Sequence, residues 1–161
     1  MPQMFVRRSL TLTLALASMV LAQPASSAQQ KEAAGPKIPI SVWKTRTCGC
    51  CSLWVDHMRA NGFDVKVQDV DNLEAIKRKL GVSPGLSSCH TAQTGRYVIE
   101  GHIPADVVRR LLKERPTTIA GLAVPGMPLG SPGMEVPGGQ RQPYAILTFD
   151  KNGQTTIYER R

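Results

Sequence analysis

The feature that most restricts this chain is a cluster of three cysteines in four residues, Cys48-Gly49-Cys50-Cys51. A short β-like run, Ile38-Pro39-Ile40-Ser41-Val42-Trp43, leads into it. After it, Cys51, Trp54, Val55 and Met58 recur at i, i+3, i+4 and i+7, one face of a helix. Cys48 and Cys51 thus form a Cys-x-x-Cys pair at a helix N-terminus, where the partial positive charge stabilises thiolate. The chain has 161 residues and only one other cysteine, Cys89. That is too few for a disulfide-dense scaffold, and three of the four lie too close together to staple separate loops. Two structural disulfides therefore fit the spacing poorly.

The segments that follow alternate between helix and strand. Asn61-Gly62 ends the first helix, with glycine suited to a left-handed cap. Phe63, Val65 and Val67 alternate with polar residues as a half-buried strand. Asp71 with Glu74 resembles a capping-box start, and Leu73, Ile76 and Leu80 line a second helix that Gly81 stops. Cys89 begins a third strand, and Thr94-Gly95-Arg96 joins it to Tyr97–Glu100 as a hairpin. Pro104 suits the first position of a third helix, whose apolar face is Val107, Val108, Leu111 and Leu112. The order strand, helix, strand, helix, strand, strand, helix, with Cys-x-x-Cys after the first strand, predicts an α/β, thioredoxin-like fold over residues 38–161. Residues 119–143 read as a Gly/Pro-rich loop. Within it, ten of the 19 positions from Gly121 to Gly139 are glycine or proline. Leu122, Val124, Met127, Leu129 and Met134 make it too apolar for a linker, so it is expected to lie over the domain. Residues 144–158 form a closing β-hairpin around Asn152-Gly153.

The beginning of the chain reads as an address. Arg7-Arg8, an apolar run from Leu10 to Leu21 and the small residues Ser26-Ser27-Ala28 give residues 1–28 the form of a cleavable signal peptide. The apolar run is too short for a permanent membrane anchor. Residues 29–37 read as a flexible leader. Export permits disulfides. The net charge of +8 comes from scattered basic residues that form no long basic stripe, and aromatics make up only 5%. Nucleic acid is therefore not an expected partner.

Two chemistries compete for the cysteines. Cys48 and Cys51 alone serve disulfide exchange, and as a catalytic pair they would define a thiol–disulfide oxidoreductase. Cys50 adds a third thiol, which competes in an exchange cycle but gives a metal three sulfur donors in four residues. Soft donors suit Cu(I) especially. A zinc site usually draws on two separate Cys-x-x-Cys knuckles, and this chain has one. Cys89, on the strand expected beside the first helix, is the natural fourth ligand. His90 is expected to face away, because neighbours in a strand point to opposite sides. His57 and Met58 lie seven residues beyond Cys50 and Cys51, roughly 10 Å along a helix, too far to share one ion. His102 is a further candidate ligand, with a helix cap as its alternative. Met127 and Met134, in two similar Pro-Gly-Met steps, are candidate thioether ligands, with loop anchoring as their alternative.

Four motifs together resemble the CopG-type family of periplasmic copper-resistance proteins, a predicted metal-binding domain. They are Val42-Trp43-Lys44-Thr45-x-Thr47-Cys48-Gly49-Cys50-Cys51, Ser88-Cys89-His90-Thr91-Ala92, Gly101-His102-Ile103-Pro104-Ala105, and the glycine/proline/methionine run from Gly121 to Met134. The resemblance implies a thioredoxin-like protein that serves copper resistance, with an associated redox role. It places copper on Cys48, Cys50 and Cys51, and Cys89 also matches a family position. The partners expected are copper ions and a periplasmic copper carrier or efflux component.

Overall fold

The computed structural model describes residues 35–161. The signal peptide expected over residues 1–28, and residues 29–34 of the leader, lie outside the described residues. The elements run β1 (Ile38–Lys44), α1 (Gly49–Ala60), β2 (Phe63–Asp69), α2 (Leu73–Lys79), a 3₁₀ turn (Pro84–Leu86), β3 (His90–Thr94), β4 (Tyr97–Glu100), α3 (Ala105–Glu114), β5 (Gly121–Ala123), β6 (Ala145–Phe149) and β7 (Thr155–Arg160). The first seven regular elements follow the order read from the sequence. All seven strands join one mixed sheet in the order β2-β1-β3-β4-β5-β6-β7. β1 runs parallel to β2 and antiparallel to β3, and β4 is parallel to β5.

The alternation of side chains sorts the core onto the two faces of the sheet. Ile40, Val42, Ala92, Ile99 and Leu122 pack with Trp54, Val55 and Met58 of α1 and with Val107, Val108 and Leu111 of α3. The intervening Val98 and Ala123 pack instead with Val82, Leu86 and Phe149, with Leu80 against them. The face of α1 read from its spacing is the buried one: Cys51, Trp54, Val55 and Met58. Burying each of the large apolar side chains contributes about 1.5–3 kcal/mol. β4 sits well inside the sheet and is buried at all four positions, as a strand covered on both faces must be.

Some boundaries differ from expectation. Asn72, rather than Asp71, caps α2 by accepting the Ala75 N–H at 3.0 Å. Pro104 is the N-cap of α3 rather than its first residue, and the free Ala105 N–H is met by His57 Nε2 at 3.1 Å. The Gly/Pro-rich segment is not loop throughout, because Gly121–Ala123 is the strand between β4 and β6. A Cβ at Gly121 would lie 2.1 Å from the Val98 carbonyl oxygen and meet the Phe149 ring, so this glycine permits close pairing rather than a turn. The last hairpin spans β6 and β7 and ends at Arg160, extending the same sheet. Among the described residues, no helix is long and apolar enough to cross a membrane.

Candidate metal centre

The end of β1 and the start of α1 position three of the sulfurs. Cys48 takes the N-cap place with extended backbone, Cys50 lies half-buried in the first turn, and Cys51 points into the core with no exposure. Cys48 and Cys51 are joined as a disulfide, while Cys50 and Cys89 are free thiols. The structure thus has one disulfide, not two, and it joins the pair named by the exchange reading of the sequence. Cys50 Sγ lies 3.6 Å from Cys48 Sγ and 3.7 Å from Cys89 Sγ. All four sulfurs lie within 4.8 Å of one another.

Cys89 also touches two imidazoles. Its sulfur lies 3.4 Å from His90 Nδ1 and 2.9 Å from His102 Nε2. The other nitrogen of His102, Nδ1, is 2.8 Å from the Pro132 carbonyl oxygen, which can only accept. Nδ1 therefore carries the proton, and Nε2 presents its lone pair to the thiol. His90 is completely buried, its ring 4.4 Å from that of Trp54 and edge-on to His102 at 5.0 Å. Its Nε2 has no hydrogen-bond partner among the described residues. The expectation that His90 faces away from Cys89 is overturned. Cys89 precedes β3 instead of beginning it, so strand alternation does not separate the two side chains.

Burial sets the protonation of these groups. It pushes the Cys89 thiol up to about 12, helped by the adjacent Cys50 sulfur. It lowers His102 against the opposing pull of the Pro132 carbonyl. His90 falls well below the ordinary histidine value through burial, then through the unfavourable electrostatic effect of neighbouring His102 and Lys77 on its protonated form. Without metal, the pair at Cys89 is a neutral thiol and a neutral imidazole.

The glycine/proline-rich loop closes one side of the centre. Ser131 is buried, and a Cβ on Gly133 would lie 2.7 Å from both Cys50 O and Trp54 N. Met134 follows Gly133 and is partly buried, so its chain position is beside α1. Met127 is 50% exposed and follows Gly126, whose N–H donates to Ser87 O at 3.2 Å. The loop does lie over the domain, as its apolar residues suggested. Four soft sulfurs with imidazole nitrogen beside them are a donor set that fits a thiophilic metal.

Two solved structures described as "Copper resistance protein copG", Form 1 and Form 2, are similar to this chain. Each is 36% identical, has a TM-score of 0.73, and covers 78% of this chain and 98% of its own. The chain belongs to the CopG family of copper resistance proteins. A family model described as "Protein of unknown function, DUF411" matches residues 86–134, which span Cys89, His102 and the glycine/proline-rich segment as far as Met134. No curated protein matches. The CopG relatives are copper resistance proteins by description, and this member carries a cysteine cluster able to hold metal.

Proposed function

We propose that the protein binds Cu(I) in the periplasm as part of copper resistance, on a thioredoxin-like scaffold. The observation that carries this reading is the convergence of Cys48, Cys50, Cys51 and Cys89 within 4.8 Å. Thiolates this close favour a soft, low-coordinate cation and allow sulfur to bridge more than one ion. His102 is a nitrogen donor at the edge of the site, and Met127 and Met134 remain candidate thioether donors. Zinc fits the sulfur count but not the single Cys-x-x-Cys knuckle. Copper is cargo in this reading, received from and passed to a periplasmic carrier or an efflux component. The sequence of residues 1–28 supports the export part of the proposal, and the order β2-β1-β3-β4 with β3 reversed supports the fold part.

A second reading has its own observation, the Cys48–Cys51 disulfide. Closing that bond releases two electrons and two protons from the dithiol. Under copper stress two Cu(II) ions can accept the electrons and become two Cu(I) ions. A thiol–disulfide oxidoreductase would instead pass them to another disulfide.

The test is titration of the reduced protein with Cu(I) against a competing chelator. Tight uptake that disappears in the Cys48→Ser/Cys50→Ser/Cys51→Ser variant supports the proposal. Affinity unchanged in that variant would sink it. Reduction of insulin disulfides by the metal-free protein, independent of Cys50, would favour the exchange reading.

A further inference from the structure

A buried charge pair lies on the face of the sheet opposite α1, and none of the chemistry above uses it. Lys77 is 1% exposed, and Glu100 and Thr91 are fully buried. Thr91 and Glu100 stand directly opposite each other in the β3–β4 ladder. Lys77 Nζ donates to Glu100 Oε1 and, at 3.1 Å, to Thr91 Oγ1. Such a pair is weak evidence of stabilisation, because apolar residues of similar volume commonly replace one at no cost.

What Glu100 reaches is more informative. Its Oε1 also accepts the Ser88 N–H at 2.7 Å, and its Oε2 accepts the Thr91 hydroxyl at 2.6 Å. Ser88 and Thr91 flank Cys89-His90, so one carboxylate spans the dipeptide that carries the fourth sulfur. Ser88 is held from other sides as well. Its hydroxyl donates to Gly126 O, and a Cβ on Gly101 would sit 2.5 Å from its Oγ. Cys89 itself lies beyond the last ladder pair, His90 with Lys44, so strand pairing does not fix it.

We infer that Glu100 is a positioning residue for Cys89. Its carboxylate staples Ser88 to Thr91 and so sets the Cys89 sulfur against Cys50 and His102, while Lys77 neutralises the buried charge. The inference rests on the copper reading only for its consequence in metal binding. Its test needs no metal.

With the Cys48–Cys51 disulfide closed, Cys50 and Cys89 are the only free thiols in the chain. A bifunctional reagent that fluoresces once both arms have reacted then reports their proximity. Lys77→Met/Glu100→Leu removes the staple and leaves no unpaired charge. Lys77→Met/Glu100→Gln keeps it, because the amide oxygen accepts from Ser88 and the amide nitrogen donates to Thr91 Oγ1. The leucine variant is expected to bridge roughly tenfold more slowly than wild type, a loss typical of a small misplacement in a proximity-dependent reaction. The glutamine variant bridges at the wild-type rate. Wild-type bridging in a folded leucine variant would overturn the inference, as would equal loss in both double variants. If the leucine variant does not fold, Glu100→Asp decides, since it keeps the charge but is one methylene short. Slow bridging there with normal bridging in the glutamine variant supports the staple, and normal bridging in both overturns it. Wild-type protein that bridges as described but takes up no Cu(I) overturns the proposed function and leaves this inference standing.

Discussion

His102 Nε2 stands 2.9 Å from the Cys89 sulfur, and the proton on the opposite ring nitrogen is committed to Pro132 O. The neutral imidazole therefore accepts a hydrogen bond from the thiol but has no N–H on that side to donate to a thiolate. Burial keeps the thiol near 12. At pH 8 such a thiol carries on the order of 10³-fold less thiolate than an ordinary cysteine. With the Cys48–Cys51 disulfide closed, a small alkylating reagent should label Cys50 well before Cys89, as read by peptide mass spectrometry. Equal labelling rates would show that burial does not control Cys89.

Much of this centre was legible in the sequence because it follows from local rules. The i, i+3, i+4, i+7 spacing marked the buried face of α1, and Cys-x-x-Cys before it fixed where three sulfurs begin. Cys89 was reachable through the order of elements. His90 was missed because period-2 alternation was applied to a residue just outside the strand, where the backbone no longer obeys it. β5 was missed because Gly121 was counted among the glycines and prolines of a loop, whereas its role is the absence of a side chain beside Val98 and Phe149. The staple from Glu100 to Ser88 has no sequence signal, since it depends on a register between strands.

Gly133 should be intolerant of a side chain. Its φ of +83° is in the left-handed region, and a Cβ would lie 2.7 Å from backbone atoms of Cys50 and Trp54. Neither neighbour is a flexible side chain end, so Gly133→Ala must lift the loop off α1. Equilibrium urea unfolding should show a loss of roughly 1–3 kcal/mol, the range for strain plus overpacking. Gly138, also at positive φ but with open space around it, provides the control: Gly138→Ala should cost less. Equal losses at the two positions would mean that contact with α1 contributes nothing.

Cys50 separates the two chemistries proposed for the cluster. It is not part of the disulfide, yet it lies within 3.7 Å of both Cys48 and Cys89 and joins the two halves of the sulfur group. Cys50→Ser should still close the Cys48–Cys51 bond, with one disulfide per chain by thiol counting. The same variant should bind Cu(I) at least about tenfold more weakly, as expected when a soft ligand is replaced by a hard hydroxyl. Unchanged copper affinity would remove Cys50 from the ligand set.

Acidification should destabilise the metal-free protein through its histidines. His90, His102 and His57 are all held below the ordinary value of 6.5, in each case first by burial. Between the folded values and 6.5 the unfolded chain binds more protons, so the free energy of unfolding rises with pH. The stability is therefore fully present above about pH 6.5 and is lost as pH falls toward the folded values. Glu100, whose carboxyl burial raises, acts in the opposite sense toward the acid end. The informative quantity is therefore a difference. His90→Phe keeps an aromatic ring beside Trp54 and removes the most buried of the three imidazoles. The fall in Tm between about pH 7.5 and 5 should be smaller in this variant than in wild type. An identical fall in both proteins would show that His90 protonation is not coupled to unfolding.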